Sequence, residues 1–241
     1  MIIIPAIDLL GGNCVRLHQG DPAQETFYDK DPVQVARRWE ALGAKRLHLV
    51  DLDGAFRGEP TQMSLVQEII AAVSIPVEVG GGIRCLETVE RYLDAGAAWV
   101  ILGTAAIQSP GLVSEACRKY SGRILAGIDA KNGKVATDGW VNLTAKTALE
   151  LAIELKQEGI AELIYTDIGR DGTLTGPNTQ ALTTLAQSSG LAVIASGGIS
   201  GITDLEQLRD LHLSGITGAI VGKALYDKRI DLAEAIRVIE G

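Results

Sequence analysis

The chain has 241 residues, close to the roughly 250 of a typical (β/α)8 barrel, and 46% of them are hydrophobic while only 4% are aromatic. Length alone also allows two small domains, but the dominance of Ala, Ile, Leu, Val and Gly suits strands buried on both faces beneath helices. The formal net charge of −8 argues against nonspecific binding to nucleic acid or anionic membrane; it leaves room for a phosphorylated substrate, because backbone N–H groups bind phosphate without a basic surface.

The start MIIIPAIDLL has no basic segment and meets Pro5 and Asp8 too soon for a signal peptide. Short β-branched runs then alternate with helical stretches. Strands are expected at Ile2–Asp8, Arg46–Asp51, Pro76–Gly80, Trp99–Gly103, Ile124–Asp129, Leu163–Asp167, Ala192–Ser196 and Ala219–Gly222. The first helix is expected over Pro32–Leu42, with Asp31 as N-cap and Pro32 at the first helical position. Further helices are expected over Leu86–Ala95, closed by Gly96, and Thr144–Glu158, closed by Gly159. Asn178–Gln187, Asp204–Leu211 and Asp231–Ile239 complete the series. Alternating units of this kind give an all-parallel sheet. Eight of them without a long linker are expected to close into one barrel spanning 1–241. No apolar run reaches the ~18 residues of a membrane span. Cys14, Cys85 and Cys117 lie far apart, with no CxxC pair and no metal-ligand spacing, as expected of reduced thiols in a cytoplasmic protein.

The chain also repeats itself. AIDLLGGNCV returns as GIDAKNGKV, VDLDGAFRGEP as TDIGRDGTLTGP, VGGGI as ASGGI and LGTA as VGKA. Four motifs recur in the same order about half a chain apart, which reads as two half-barrels, about 1–120 and 121–241, within one closed core.

Active sites of such barrels lie at the C-terminal ends of the strands, so the strand-end residues are the ones to interrogate. Asp8 ends the first strand and Asp129 the fifth, which sit opposite each other in an eight-stranded barrel. Two carboxylates facing across the mouth suit a reaction that adds a proton at one point and removes one at another. Either aspartate alone would read equally well as a loop cap; the symmetric placement favours chemistry. Glycines follow four strands: Gly81 and Gly82, Gly103 with Thr104, Gly197 and Gly198, and Gly222 with Lys223. Glycine lets backbone N–H groups approach an anion closely, and loops seven and eight are the frequent phosphate site of this fold. Loops three and four repeat the pattern half a barrel away, which implies a long substrate with a phosphate at each end. His48 has the strand parity of an inward-facing residue if Val50 does, although a lone strand histidine is more often simply packed. Thr166 can hydrogen-bond Asp129 or substrate, or merely reflect β-propensity. Arg16 can meet a phosphate or a carboxylate. Trp140 can stack on a flat heterocycle or pack on the rim. Asp171 lies in GRDGT, a polar loop able to close over ligand.

Taken together, IIPAIDLLGGNCVRL, VDLDGAF, GGGIR, ILGT, GIDAKNGKVATDGW, TDIGRDGTLTGPN, ASGGIS and VGKALY resemble, across the whole chain, the isomerases of histidine biosynthesis that act on phosphoribosylformimino-aminoimidazole-carboxamide ribotide. Their sister family, the cyclases that make imidazole glycerol phosphate, shares the duplicated barrel. Ala6 in IPAID, where the cyclase has cysteine, Arg16, where it has lysine, and Trp140 all favour the isomerase. The resemblance implies a cofactor- and metal-free Amadori rearrangement of an aldose to a ketose, with Asp129 as general acid opening the ribose ring and Asp8 as general base at C2. The residues themselves do not say which aspartate is the acid. The resemblance also covers bifunctional members that isomerise phosphoribosylanthranilate. The chain is expected to act as a monomer on a small molecule with two phosphates.

Overall fold

The computed structural model describes residues 1–109 and 111–241. Strand β1 (Ile2–Leu10) runs into an antiparallel hairpin of β2 (Asn13–His18) and β3 (Asp21–Asp29), then α1 (Pro32–Ala41) and β4 (Leu47–Asp51). The chain continues through α2 (Leu52–Arg57), α3 (Met63–Ala72), β5 (Val77–Gly80), α4 (Leu86–Asp94), β6 (Trp99–Leu102), α5 (Ala105–Gln108) and α6 (Leu112–Lys119). The second half repeats the plan. Strand β7 (Ile124–Lys131) is followed by its own hairpin, β8 (Lys134–Thr137) and β9 (Asn142–Thr147), and then by α7 (Ala148–Gln157) and β10 (Glu162–Asp167). Helix α8 (Thr179–Ser189), β11 (Ala192–Ser196), α9 (Ile202–Asp210), β12 (Ile216–Val221), α10 (Lys223–Tyr226) and α11 (Leu232–Ile239) close the chain.

Eight strands pair in parallel in the order β1, β4, β5, β6, β7, β10, β11, β12, and β12 pairs back onto β1. The sheet is therefore a closed (β/α)8 barrel. Its period-two alternation separates two cores. Outward-facing residues such as Ile3, Ile7, Leu49, Val79 and Val193 pack beneath the helices. Inward-facing Ile4, Ala6, Ile101, Leu125, Ile164, Ile194 and Ile220 form a separate plug inside the barrel. Below the plug, the Arg46 guanidinium stacks 4.0 Å over Trp99 and pairs with Glu78 and Glu162.

Most expected elements appear within a residue or two, and Asp31 caps α1 by accepting from the Gln34 N–H at 3.0 Å. Three expectations need correction. Residues 144–147 belong to β9, and the helix starts only at Ala148, where Thr147 and Glu150 form a reciprocal capping box. The last strand is Ile216–Val221, so Gly222 lies just beyond it. Short helices α2, α3, α5, α6 and α10 and both hairpins were not foreseen; α3, α5, α6 and α10 have no side-chain N-cap to announce them. No helix among the described residues is long and apolar enough to cross a membrane.

Candidate active site

The barrel alternation that buries Ile4 and Ala6 also aims Asp8 up into the mouth, and β7 does the same for Asp129 from the opposite wall. Both line a cavity of about 220 Å³ together with Arg16, His48, Gly81, Gly82, Gly103, Thr104, Trp140, Thr166 and Asp171. His48 and Val50 do share the inward parity. A smaller cavity of about 40 Å³ adjoins it, lined by Gly197, Gly198, Gly222 and Lys223. Arg16 and Asp171 line both and stand between them. Every candidate residue read from the sequence thus lies on one continuous mouth.

The two aspartates live in different surroundings. Asp8 Oδ2 accepts from Arg16 Nη1 at 2.7 Å, in an ion pair whose side chains are each 14% exposed. Arg16 Nε and Nη2 are buried with no protein partner among the described residues. A Cβ built on Gly222 would fall 2.2 Å from the guanidinium carbon, so the fork lies flat against that backbone. Two unmet charged donors beside a glycine loop are costly unless an anionic ligand accepts from them. Asp129 has no such cation. Burial pushes its carboxyl upward, while hydrogen bonding from Trp140 and Thr166 and the neighbouring His48 ring oppose that rise. Thr166 reaches it from the neighbouring strand, where the two residues are register partners.

Asp171 is a third buried carboxyl at the mouth. Burial raises it to about 6, Arg16 opposes, and the charges of Asp8 and Asp129 add to the rise. Its loop is tied to the first hairpin, since Gln19 donates its backbone N–H to Asp171 O at 3.3 Å and its side-chain amide to Gly169 O at 2.8 Å. Trp140 sits at φ +71° against Gly20, where any Cβ would strike the indole at 2.3 Å. Loops one, five and six therefore brace one another over the mouth.

The glycines do two jobs. Gly81 at φ +107° would bring a Cβ within 2.1 Å of Asp51 O, and its duplicate Gly197 at φ +90° would meet Asp167 O at 2.8 Å. Both loops fold over the preceding strand end so closely that only glycine fits. Asp51 holds that end by accepting from the backbone of Gly54, Thr61 and Gln62 at 2.7–2.8 Å. Gly103 has open space where a Cβ would be, so its lack of a side chain serves the cavity rather than packing. Thr104 Oγ1 accepts from the Asp138 N–H at 2.9 Å. Lys223 Nζ is engaged by Asp227 at 2.9 Å and Tyr28 at 3.2 Å, at the edge of the small cavity.

The sequence reading missed three polar residues. Arg84 lines the large cavity and pairs with Asp138 at 3.3 Å; its place directly after GGGI, where the duplicate has Ser200, was the available signal. Asp138 gave no signal, because it acts through a loop contact. Glu78, fully buried on β5, shares the inward parity of Gly80, and a charged residue in a buried strand was itself a visible anomaly.

Known proteins with this sequence pattern share a reaction. A protein from Heliobacterium modesticaldum is 53% identical over 238 residues, covering 99% of this chain and 97% of its own. One from Picosynechococcus is 54% identical over 239 residues, covering 99% and 93%. One from Burkholderia vietnamiensis is 52% identical over 237 residues, covering 98% and 94%. Each is named a 1-(5-phosphoribosyl)-5-((5-phosphoribosylamino)methylideneamino) imidazole-4-carboxamide isomerase. The family model described as "Histidine biosynthesis protein" matches residues 2–231, and with this barrel and relatives at this identity, the chain belongs to that family.

Proposed function

We propose that this chain is the aldose–ketose isomerase of histidine biosynthesis that its relatives are named for, rearranging an aminated ribose phosphate by aspartate acid–base catalysis. One observation carries the reading: two carboxylates from opposite barrel strands share a mouth whose two ends are glycine loops. The substrate's two phosphoribosyl groups lie across the mouth, one phosphate near Gly81, Gly82, Gly103 and Thr104, the other near Gly197, Gly198 and Gly222. Asp129, whose protonated form burial favours, gives a proton to the ribose ring oxygen. The C1–O bond breaks and a C1 iminium forms. Asp8, ion-paired as a carboxylate, then takes the C2 proton to give an enolamine, which tautomerises to the ketose with a proton added at C1. The groups that must hold and take protons are thus separated by environment. No cofactor enters this scheme, and one chain supplies every group, so a cytoplasmic monomer suffices.

A specific observation favours a second reading of the acid alone. Asp171, raised to about 6, is better poised than an ordinary carboxyl to carry a proton near neutrality, and it lies where both cavities meet. The sister cyclase reaction, which needs ammonia from a partner docked at the bottom of the barrel, is disfavoured by Arg16 in place of a lysine.

Incubating the purified chain with the aldose ribotide, and following the ketose by its absorbance change, tests the function. Conversion without glutamine, ammonia or a second protein is expected. Tight binding without turnover, or conversion only when ammonia is added, would overturn it.

A further inference from the structure

Inside the barrel, a line of polar contacts runs from the floor to the mouth. Thr217 Oγ1 donates to Glu162 Oε1 at 2.9 Å, and Glu162 Oε2 accepts from Arg46 Nη1 at 2.9 Å. Arg46 Nε pairs with one oxygen of Glu78, and the other oxygen of Glu78 lies 2.6 Å from His48 Nδ1. His48 and Glu78 are register partners on adjacent strands, so the contact is built into the sheet. Glu78 is fully buried. A hydrophobic residue of similar volume would commonly serve stability as well as a buried ion pair does, so stability alone does not account for this one.

Arg46 Nε meets Glu78 as an ion pair without hydrogen-bond alignment, whereas the other oxygen of Glu78 is within hydrogen-bond distance of His48, so charge at one end and hydrogen-bonding capacity at the other fix the sense of the contacts. A guanidinium only donates and an ionised carboxylate only accepts. The nitrogen facing Glu78 must then carry a proton, whatever the charge on the ring. His48 Nε2 is left without a protein partner among the described residues, on a ring that lines the large cavity beside Asp129. We propose that Glu78 is a positioning residue that holds His48 with Nδ1 protonated, so that Nε2 presents its lone pair to a hydroxyl of the substrate. The proposal rests on the isomerase reading for its substrate, but the state of the ring is a property of the protein alone.

Glu78→Gln tests it with almost no change of shape. The guanidinium charge of Arg46 favours the amide oxygen on its side, which turns the amide NH2 toward His48 Nδ1. Nδ1 must then accept, and the proton moves to Nε2. Nitrogen-15 NMR of protein labelled at its three histidines, recorded with the imidazoles neutral, should show His48 protonated on Nδ1 in the wild type and on Nε2 in the variant. Turnover should fall about 10- to 100-fold, as when a partner that orients a functional histidine is lost. Adding Arg46→Met should release the amide oxygen to Nδ1, return the proton there and recover part of the turnover, which a merely structural role would not do. Three results would each overturn the proposal: a wild-type His48 protonated on Nε2, an unchanged tautomer in Glu78→Gln, or normal turnover despite a switched tautomer. If the wild type itself failed to isomerise the ribotide, the functional reading would fall while the NMR comparison still decided the role of Glu78.

Discussion

The two half-barrels share a backbone and differ in charge. Each begins with a strand carrying an inward aspartate and followed by a hairpin, and each closes a glycine loop over the end of its second strand. At the first-half rim the cation is Arg84, two residues after the last glycine, and the loops open straight into the large cavity. At the second-half rim that position is Ser200, whose N–H and hydroxyl are both taken by Asp204 at 2.7 Å. Two cations line that rim, Lys223, which is engaged by Asp227 and Tyr28, and Arg16, which crosses from the first half to lie on Gly222 with two donors unpartnered among the described residues. The same crossing gives Asp8 an ion pair, whereas Asp129 makes no ion pair with an arginine or lysine among the described residues. On the proposed reading, duplication supplies two anion cradles and two carboxylates, and Arg16 makes them unequal. A two-fold scaffold can in this way bind a substrate whose ends are alike and still run acid and base chemistry at different points.

The largest effect expected on this comparison comes from removing proton exchange in either half. Asp8→Asn and Asp129→Asn should each lower kcat by about 10²–10⁴-fold, the usual contribution of a positioned acid or base. Substrate affinity, measured by calorimetry, should hold, because it comes mainly from the phosphate ends. A smaller effect separates the duplicated glycines. Gly222→Ala must push Arg16 off its seat, disturbing Asp8 and a phosphate site together, and should cut kcat/KM about tenfold or more, the equivalent of losing one charge-assisted hydrogen bond. Gly103→Ala meets open space and should raise KM only a few-fold with kcat nearly kept, about 1 kcal/mol of uniform binding. Equal losses in the two variants would refute the asymmetry. Gly81→Val is a poor probe of phosphate binding, since its Cβ would strike backbone and destabilise the fold by about 1–3 kcal/mol.

A separate effect, on the fold and not on turnover, is stability against pH. The Asp171 carboxyl is raised in the fold from its ordinary 3.8 to about 6. Between those values the folded chain holds a proton that the unfolded chain has released, so this group's contribution to stability is lost as pH rises toward and past 6. Asp171→Asn should remove that slope, giving a Tm above that of the wild type at pH 7 to 8 and no advantage near pH 4. A parallel offset at every pH would show that the carboxyl is not buried in the way described.

The barrel was legible because its signals are local and repeated. Alternation of apolar runs marked the strands, and the caps at Asp31, Gly96 and Gly159 marked three helices. The duplication then placed Asp8 opposite Asp129 and the glycines at both rims. What escaped depended on contacts between distant segments. The β2–β3 and β8–β9 hairpins have partly exposed strands held by pairing rather than by pattern. The Arg16–Gly222 contact joins the first loop to the last, and nothing in either segment names the other. Glu78 was visible as a charge in a buried run, but only the register with His48 gives it a partner.

The central claim is that the halves divide the proton work, Asp129 opening the ring and Asp8 taking the C2 proton. Crystals of the two asparagine variants soaked with the aldose ribotide test it most directly, because each should stop the reaction at a different species. Asp129→Asn should hold the substrate with its ribose ring closed. Asp8→Asn should hold it with the ring open and C2 still protonated. An open ring in Asp129→Asn together with a closed ring in Asp8→Asn would reverse the assignment, and an open ring in both would move the acid to Asp171.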